Sequence, residues 1–232
     1  MVVYMCLLSF IPSFIIAYIV YKTDKVEKEP IGELLRAFGM GVFSVIITLG
    51  ISFGLGIQDY NTNEMSFENL LLYVFLGIAL VEEFSKWVST RLFFNGSNSY
   101  NYLYDGIVYS IYVSLGFATI ENFLYLVNAD ISLVIIRSFI TVPAHVFFAV
   151  FMGYYLSKYK ESVLKKQKNY KYLLYSILIP VTLHGIFDTL LLSSNFILLI
   201  IFLIYVLFLY VFSIKKMILA IKEEHSFDNM NK

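Results

Sequence analysis

The chain has 232 residues, 59% of them hydrophobic and 15% charged, with 17 basic and 17 acidic side chains that cancel. That composition belongs to an integral membrane protein, and no polar stretch, the longest running from about Ser157 to Lys171, is long enough to build a soluble domain. A nucleotide- or nucleic-acid-binding module is excluded, and with Cys6 the sole cysteine so are an internal disulfide and a thiolate metal cluster.

The apolar runs, in chain order, cover about 2–21, 32–57, 69–92, 102–127, 131–156, 172–193 and 196–219. Each approaches or exceeds the ~20 residues that cross ~30 Å of hydrocarbon at ~1.5 Å per residue. The first has no basic residue ahead of it and Lys22, Lys25 and Lys28 behind it. A cleavable signal peptide shows the reverse order, so a retained span is expected. Arg91, the six lysines between Lys158 and Lys171, and Lys215, Lys216, Lys222 and Lys232 fall in alternate connections. The other connections, about 58–68, 128–130 and 194–195, hold no Lys or Arg. The positive-inside rule then predicts an all-α bundle of about seven spans, N-terminus outside and C-terminus inside. Residues 1–220 form one transmembrane domain with its functional core at about 69–193, and 221–232 are a short cytoplasmic tail. Gly50 and Gly54 form a GxxxG pair, a spacing that admits a homo-oligomer, although packing within the molecule is the expectation here.

The third run, NLLLYVFLGIALVEEFSKWVSTRL over 69–92, carries Glu82, Glu83 and Lys86 deep inside it. A carboxylate in hydrocarbon costs about 2.5–3.5 kcal/mol even on the lenient insertion scale, so partners must lie at matching depth. On a helix Lys86 reaches either acid at i,i+3 or i,i+4, so one acid takes Lys86 and the other faces an interior cavity. Glu121 and Asn122 in the fourth run, His145 in the fifth, and His184 and Asp188 in the sixth supply the partners. Asp188 lies four residues after His184, where a carboxylate fixes an imidazole tautomer. Pro143 and Pro180 precede the histidines by about a turn and predict kinked helices with freed carbonyls lining a cavity. Arg137, in the outer third of the fifth run, either pairs with Glu121 or Asp188 or snorkels outward.

The ordered set E-E-x-x-K (Glu82, Glu83, Lys86), F-x-x-x-E-N (Phe117, Glu121, Asn122), His145 and H-x-x-x-D (His184, Asp188) resembles the PrsW family of bacterial intramembrane proteases. It is more distantly similar to the CAAX-prenyl endopeptidase and bacteriocin-processing superfamily. The resemblance covers residues 70–192. It implies a plasma-membrane peptidase that cuts a single-span, membrane-anchored anti-sigma factor near the outer face. It carries the essential glutamate pair onto Glu82 and Glu83, and the remaining polar positions onto Glu121, His145 and His184. Glu121 and Asp188 depart from the histidine and asparagine of the prenyl endopeptidases, which argues against a prenylated substrate.

Peptide hydrolysis needs an activated water and a stabilised oxyanion. One of Glu82 and Glu83 takes the proton from water, and the resemblance leans toward Glu82. His184, oriented by Asp188, and His145 polarise the carbonyl or hold the water, with Asn122 as oxyanion donor. The competing chemistry is a zinc site built from His145, His184 and one of the acids, Glu121 among them; no HExxH pair is present. Two other classes compete with the enzyme: a proton-coupled transporter, which also uses midplane acids and histidines, and a non-catalytic membrane scaffold.

Overall fold

Lipid offers no water to backbone polar groups, so each apolar run satisfies its own by winding into a helix. The computed structural model describes residues 2–24, 27–57, 62–128, 131–193, 195–223 and 227. In chain order the helices are α1 (Val2–Thr23), α2 (Ile31–Gly54), α3 (Phe67–Leu72), α4 (Leu80–Asn95), α5 (Asp105–Asn128), α6 (Ile131–Leu164), α7 (Tyr170–Leu192) and α8 (Phe196–Lys222). A π-helical segment, Tyr73–Ala79, joins α3 to α4 in one rod, and a 3₁₀ turn spans Thr62–Glu64. Among the described residues α2, α5, α6, α7 and α8 are each long and apolar enough to cross a membrane. The protein is therefore all-α and polytopic.

Local signals set several helix starts. Ser66 Oγ accepts from Asn69 N–H, Asn169 Oδ1 from Lys171 N–H and Asn195 Oδ1 from Ile197 N–H, capping α3, α7 and α8. Pro30 stands just before α2, where its missing N–H costs nothing.

The core is centred on α5, whose residues 105–119 are all buried. It is held by close backbone approach: a Cβ on Gly41 of α2 would lie 1.9 Å from the Val113 carbonyl oxygen, and one on Gly153 of α6 would lie 2.2 Å from that of Gly106. Small residues at these crossings let α2, α5 and α6 pack tightly where lipid supplies no hydrophobic drive between helices. The GxxxG pair is not among them. A Cβ on Gly50 or Gly54 would meet nothing within 4 Å, so the packing expected for that pair inside the molecule is absent.

A second cluster, Ala144, Phe148, Phe187, Phe202 and Leu209, seats α8 against α6 and α7. At the end of the bundle where α4 stops and α5 begins, Tyr100 bonds Ser157, and the Tyr109 hydroxyl donates to buried Glu29. Of the tail expected at 221–232, Phe227 is buried, with its N–H donating to the Asn101 carbonyl at 2.7 Å; residues 224–226 and 228–232 lie outside the described residues.

Candidate active site

The rod that carries the glutamates is irregular just before them. Through Tyr73–Ala79 the turn is widened, and Leu80 N–H bonds the Phe75 carbonyl five residues back. One extra residue in a turn rotates everything after it by about 100°, and such bulges concentrate at functional sites. The same segment lays the Phe75 ring on Gly185, where an added Cβ would lie 2.6 Å away. The glutamate rod and α7 thus touch one residue from His184. Pro143 and Pro180 lie inside α6 and α7, and the π-helical turn belongs to the glutamate rod.

From α4, Glu83 and Lys86 point into the bundle and are 1% exposed each. Lys86 Nζ donates to Glu83 Oε1 at 2.5 Å and contacts His145 Nδ1 at 3.2 Å. It also sits 4.5 Å above the Phe117 ring, a cation–π contact that helps hold a buried ammonium. Glu83 Oε1 meets His184 Nδ1 at 2.9 Å, and His184 Nε2 meets Asp188 Oδ2 at 3.1 Å. On the other side His145 Nε2 meets Glu121 Oε2 at 2.8 Å, while Glu121 Oε1 accepts from Arg137 Nη2 at 2.6 Å. Seven side chains from four helices therefore form one unbroken chain: Arg137, Glu121, His145, Lys86, Glu83, His184, Asp188.

Glu82 stands beside this chain without joining it. Its Oε2 is buried with no hydrogen-bond partner, 4.0 Å from both Lys86 Nζ and His184 Nε2. Of the pair, Glu83 takes Lys86, and Glu82 keeps an unpartnered oxygen. Glu82, Glu121, Arg137 and Asp188 retain 12–16% side-chain exposure, against 1–3% for the other members, and mark where the cluster opens.

Two of the sequence-predicted residues acquire defined surroundings. Asn122 is 1% exposed and its Nδ2 donates to Ser138 Oγ at 3.0 Å, so its amide ties α5 to α6. For a metal, the acid grouped with the two imidazoles is Glu82 rather than Glu121: ligand atoms of Glu82, His145 and His184 all lie within 4.8 Å of one another. Glu121 is withdrawn because each of its oxygens is already occupied, one by Arg137 and one by His145.

The residues fit a divalent cation in donor type and charge. A carboxylate and two imidazoles are a catalytic zinc set with an open position. Four carboxylates (Glu82, Glu83, Glu121, Asp188) outnumber the two fixed cations (Lys86, Arg137) together with His184, whose two ring nitrogens both face carboxylates, and the Glu82 oxygen is unpartnered. Each imidazole would have to release one present partner to coordinate.

Sequence reasoning missed several participants. Phe148 stacks on His184, ring centroids 5.0 Å apart at 19°. Ser114 Oγ donates to the His145 carbonyl at 2.9 Å, and Trp87 Nε1 to Ser176 Oγ at 2.9 Å, pinning α6 to α5 and α7 to α4. None of these carries a signal in a single sequence, because serines, tryptophan and phenylalanines are ordinary residues of apolar helices.

A family model described as PrsW family intramembrane metalloprotease matches residues 29–214. The chain belongs to the PrsW family. A protein named Protease PrsW from Clostridioides difficile (strain 630) is 35% identical over 216 residues, 91% of this chain and 89% of that one. Its namesake from Geobacillus kaustophilus (strain HTA426) is 39% identical over 175 residues, 75% of this chain and 74% of its own. That of Bacillus subtilis (strain 168) is 35% identical over 178 residues, 76% and 78%. No solved structure gives a significant match. PrsW membership makes this an intramembrane protease, in place of a transporter or an inert scaffold. The long apolar helices together with the bacterial relatives make it a multi-pass protein of the bacterial plasma membrane.

Proposed function

We propose that this PrsW-family protein cleaves a single-span, membrane-anchored anti-sigma factor near the outer face of the membrane, with Glu82 as the base. The observation that carries the reading is the unpartnered Glu82 Oε2 beside two buried imidazoles. In the proposed topology the chain crosses seven times with its N-terminus outside, the composite rod of α3, the π segment and α4 counting as one span. Arg137 and Glu121 then lie toward the outer ends of α6 and α5, and Asp188 toward that of α7, so the cluster opens outward. The lack of Lys and Arg at 58–68, 128–130 and 194–195 supports that orientation.

Glu83 is a poor base, because Lys86 and His184 both bind its Oε1. Glu82 Oε2 is free to accept a proton from water and return it to the leaving amine. His184, with Glu83 on one nitrogen and Asp188 on the other, is fixed in orientation. The Lys86 ammonium, 4.0 Å from Glu82, supplies a preorganised positive field for the developing oxyanion. A divalent metal held by Glu82, His145 and His184 would take Glu82 as a ligand in place of its role as base, and would supply Lewis-acid polarisation of the scissile carbonyl and a more acidic bound water.

Co-expression with candidate single-span anti-sigma factors tests the reading. Wild type should release the shortened substrate, and Glu82→Ala and Glu83→Ala should not. Equal processing by all three contradicts it.

A further inference from the structure

Arg137 lies outside every motif in the sequence, yet it ends the chain of polar contacts. It is on α6, eight residues and a little over two helical turns before His145. Nothing requires an arginine there for packing: a charged residue in a transmembrane helix is costly unless it is paired for a purpose. Its pairing is specific. The Nη2 group donates to Glu121 Oε1 at 2.6 Å, and the guanidinium lies 3.7 Å from the centroid of the Tyr125 ring. Glu121 and Tyr125 are four residues apart on α5, on one helix face, so α5 offers the guanidinium a carboxylate and an aromatic plane together. The other oxygen of the same carboxylate, Glu121 Oε2, is 2.8 Å from His145 Nε2.

We infer that Arg137 is a positioning residue that fixes Glu121, and through it the ring orientation and tautomer of His145, for the hydrolytic reaction proposed above. Lys86 Nζ faces His145 Nδ1, and an ammonium can only donate, so Nδ1 is the acceptor. The proton therefore resides on Nε2, where Glu121 accepts it. Rotation of the Glu121 carboxylate would leave the ring free to turn. The guanidinium prevents that rotation by holding the oxygen that His145 does not use. Outer partners that orient an imidazole in this way are worth about 10–100-fold in activity or ligand affinity. A planar guanidinium stacked on Tyr125 is not reproduced by the flexible point charge of lysine.

The test uses full-length protein labelled with ¹⁵N-histidine in detergent or lipid, together with cleavage of a co-reconstituted single-span substrate. The chain holds only three histidines, His145, His184 and His225, so single His→Gln variants assign the ring signals. Arg137→Gln should shift the His145 ring nitrogens more than those of His184 and cut kcat by about 10–100-fold, the loss expected for an outer partner. Arg137→Lys, which keeps the charge and serves if the glutamine variant does not fold, should give a smaller shift and an intermediate rate. His145 signals unmoved in both variants overturn the inference, as does a shifted His145 with an unchanged rate. Were the wild type to cut no such substrate, the proposed function would fall while the ring signals still decided the clamp.

Discussion

Helices α5 and α8 are opposites. The most apolar stretch of α8 is only 17% buried, whereas that of α5, the least apolar of the five long helices, is 78% buried. A water-soluble protein would reverse the pairing. Here the solvent is hydrocarbon, as apolar as leucine, so nothing drives α8 inward, and it presents Leu203, Ile204 and Leu207 to lipid at 58–66% exposure. What drives helices together is polar groups needing one another and backbones close enough to touch. Glu121 of α5 needs Arg137 and His145, and Gly106 needs Gly153. The site is thus part of what assembles the bundle, and the chemistry and the fold share residues.

That contrast can be broken most forcefully at Lys86. Replacing it with methionine keeps the volume but strands the Glu83 carboxylate, 1% exposed, without its cation. Removing one partner of a buried pair costs about 3–5 kcal/mol, so Lys86→Met should lower unfolding stability by that order, read by denaturant titration in micelles. Leu203→Ala on the lipid face of α8 should change it by less than about 0.5 kcal/mol. A smaller but sharper comparison is between glycines. Gly153→Ala forces a methyl onto the backbone of α5 and should cost about 1–3 kcal/mol, while Gly50→Ala meets nothing and should be close to neutral in the monomer.

A separate expected effect, read as a pH slope, lies outside the spans. Burial, then the neighbouring Asp105, push the Glu29 carboxyl up to about 9. A folded value above the unfolded 4.5 means that this group's contribution to stability is complete below pH 4.5 and is lost as pH rises toward 9. Glu29→Gln keeps an acceptor for the Tyr109 hydroxyl and should flatten the decline of Tm between pH 5 and pH 9. An unchanged slope would remove Glu29 as its source.

The helices were legible in the sequence because each is an unbroken apolar run, and the site was legible because ionisable residues inside such runs are rare. Glu82, Glu83, Lys86, Glu121, His145, His184 and Asp188 all meet in one cluster. The division between Glu82 and Glu83 was left open, since i,i+3 and i,i+4 both reach Lys86. Lys86 goes to Glu83, whose Oε1 also meets His184 Nδ1, and the π turn at Tyr73–Ala79 precedes Glu82, Glu83 and Lys86 of α4. YVFLGIA reads as an ordinary helix, so the turn leaves no trace in composition.

The most direct test of the whole account is the initial cleavage rate of purified Glu82→Gln in lipid vesicles holding a single-span anti-sigma factor. Glu82 Oε2 accepts no hydrogen bond, so the glutamine should leave helical content and Tm as they are. The account predicts a rate about 10²–10⁴-fold below wild type, the worth of a positioned general base. A glutamine variant that cuts as fast as wild type would contradict it.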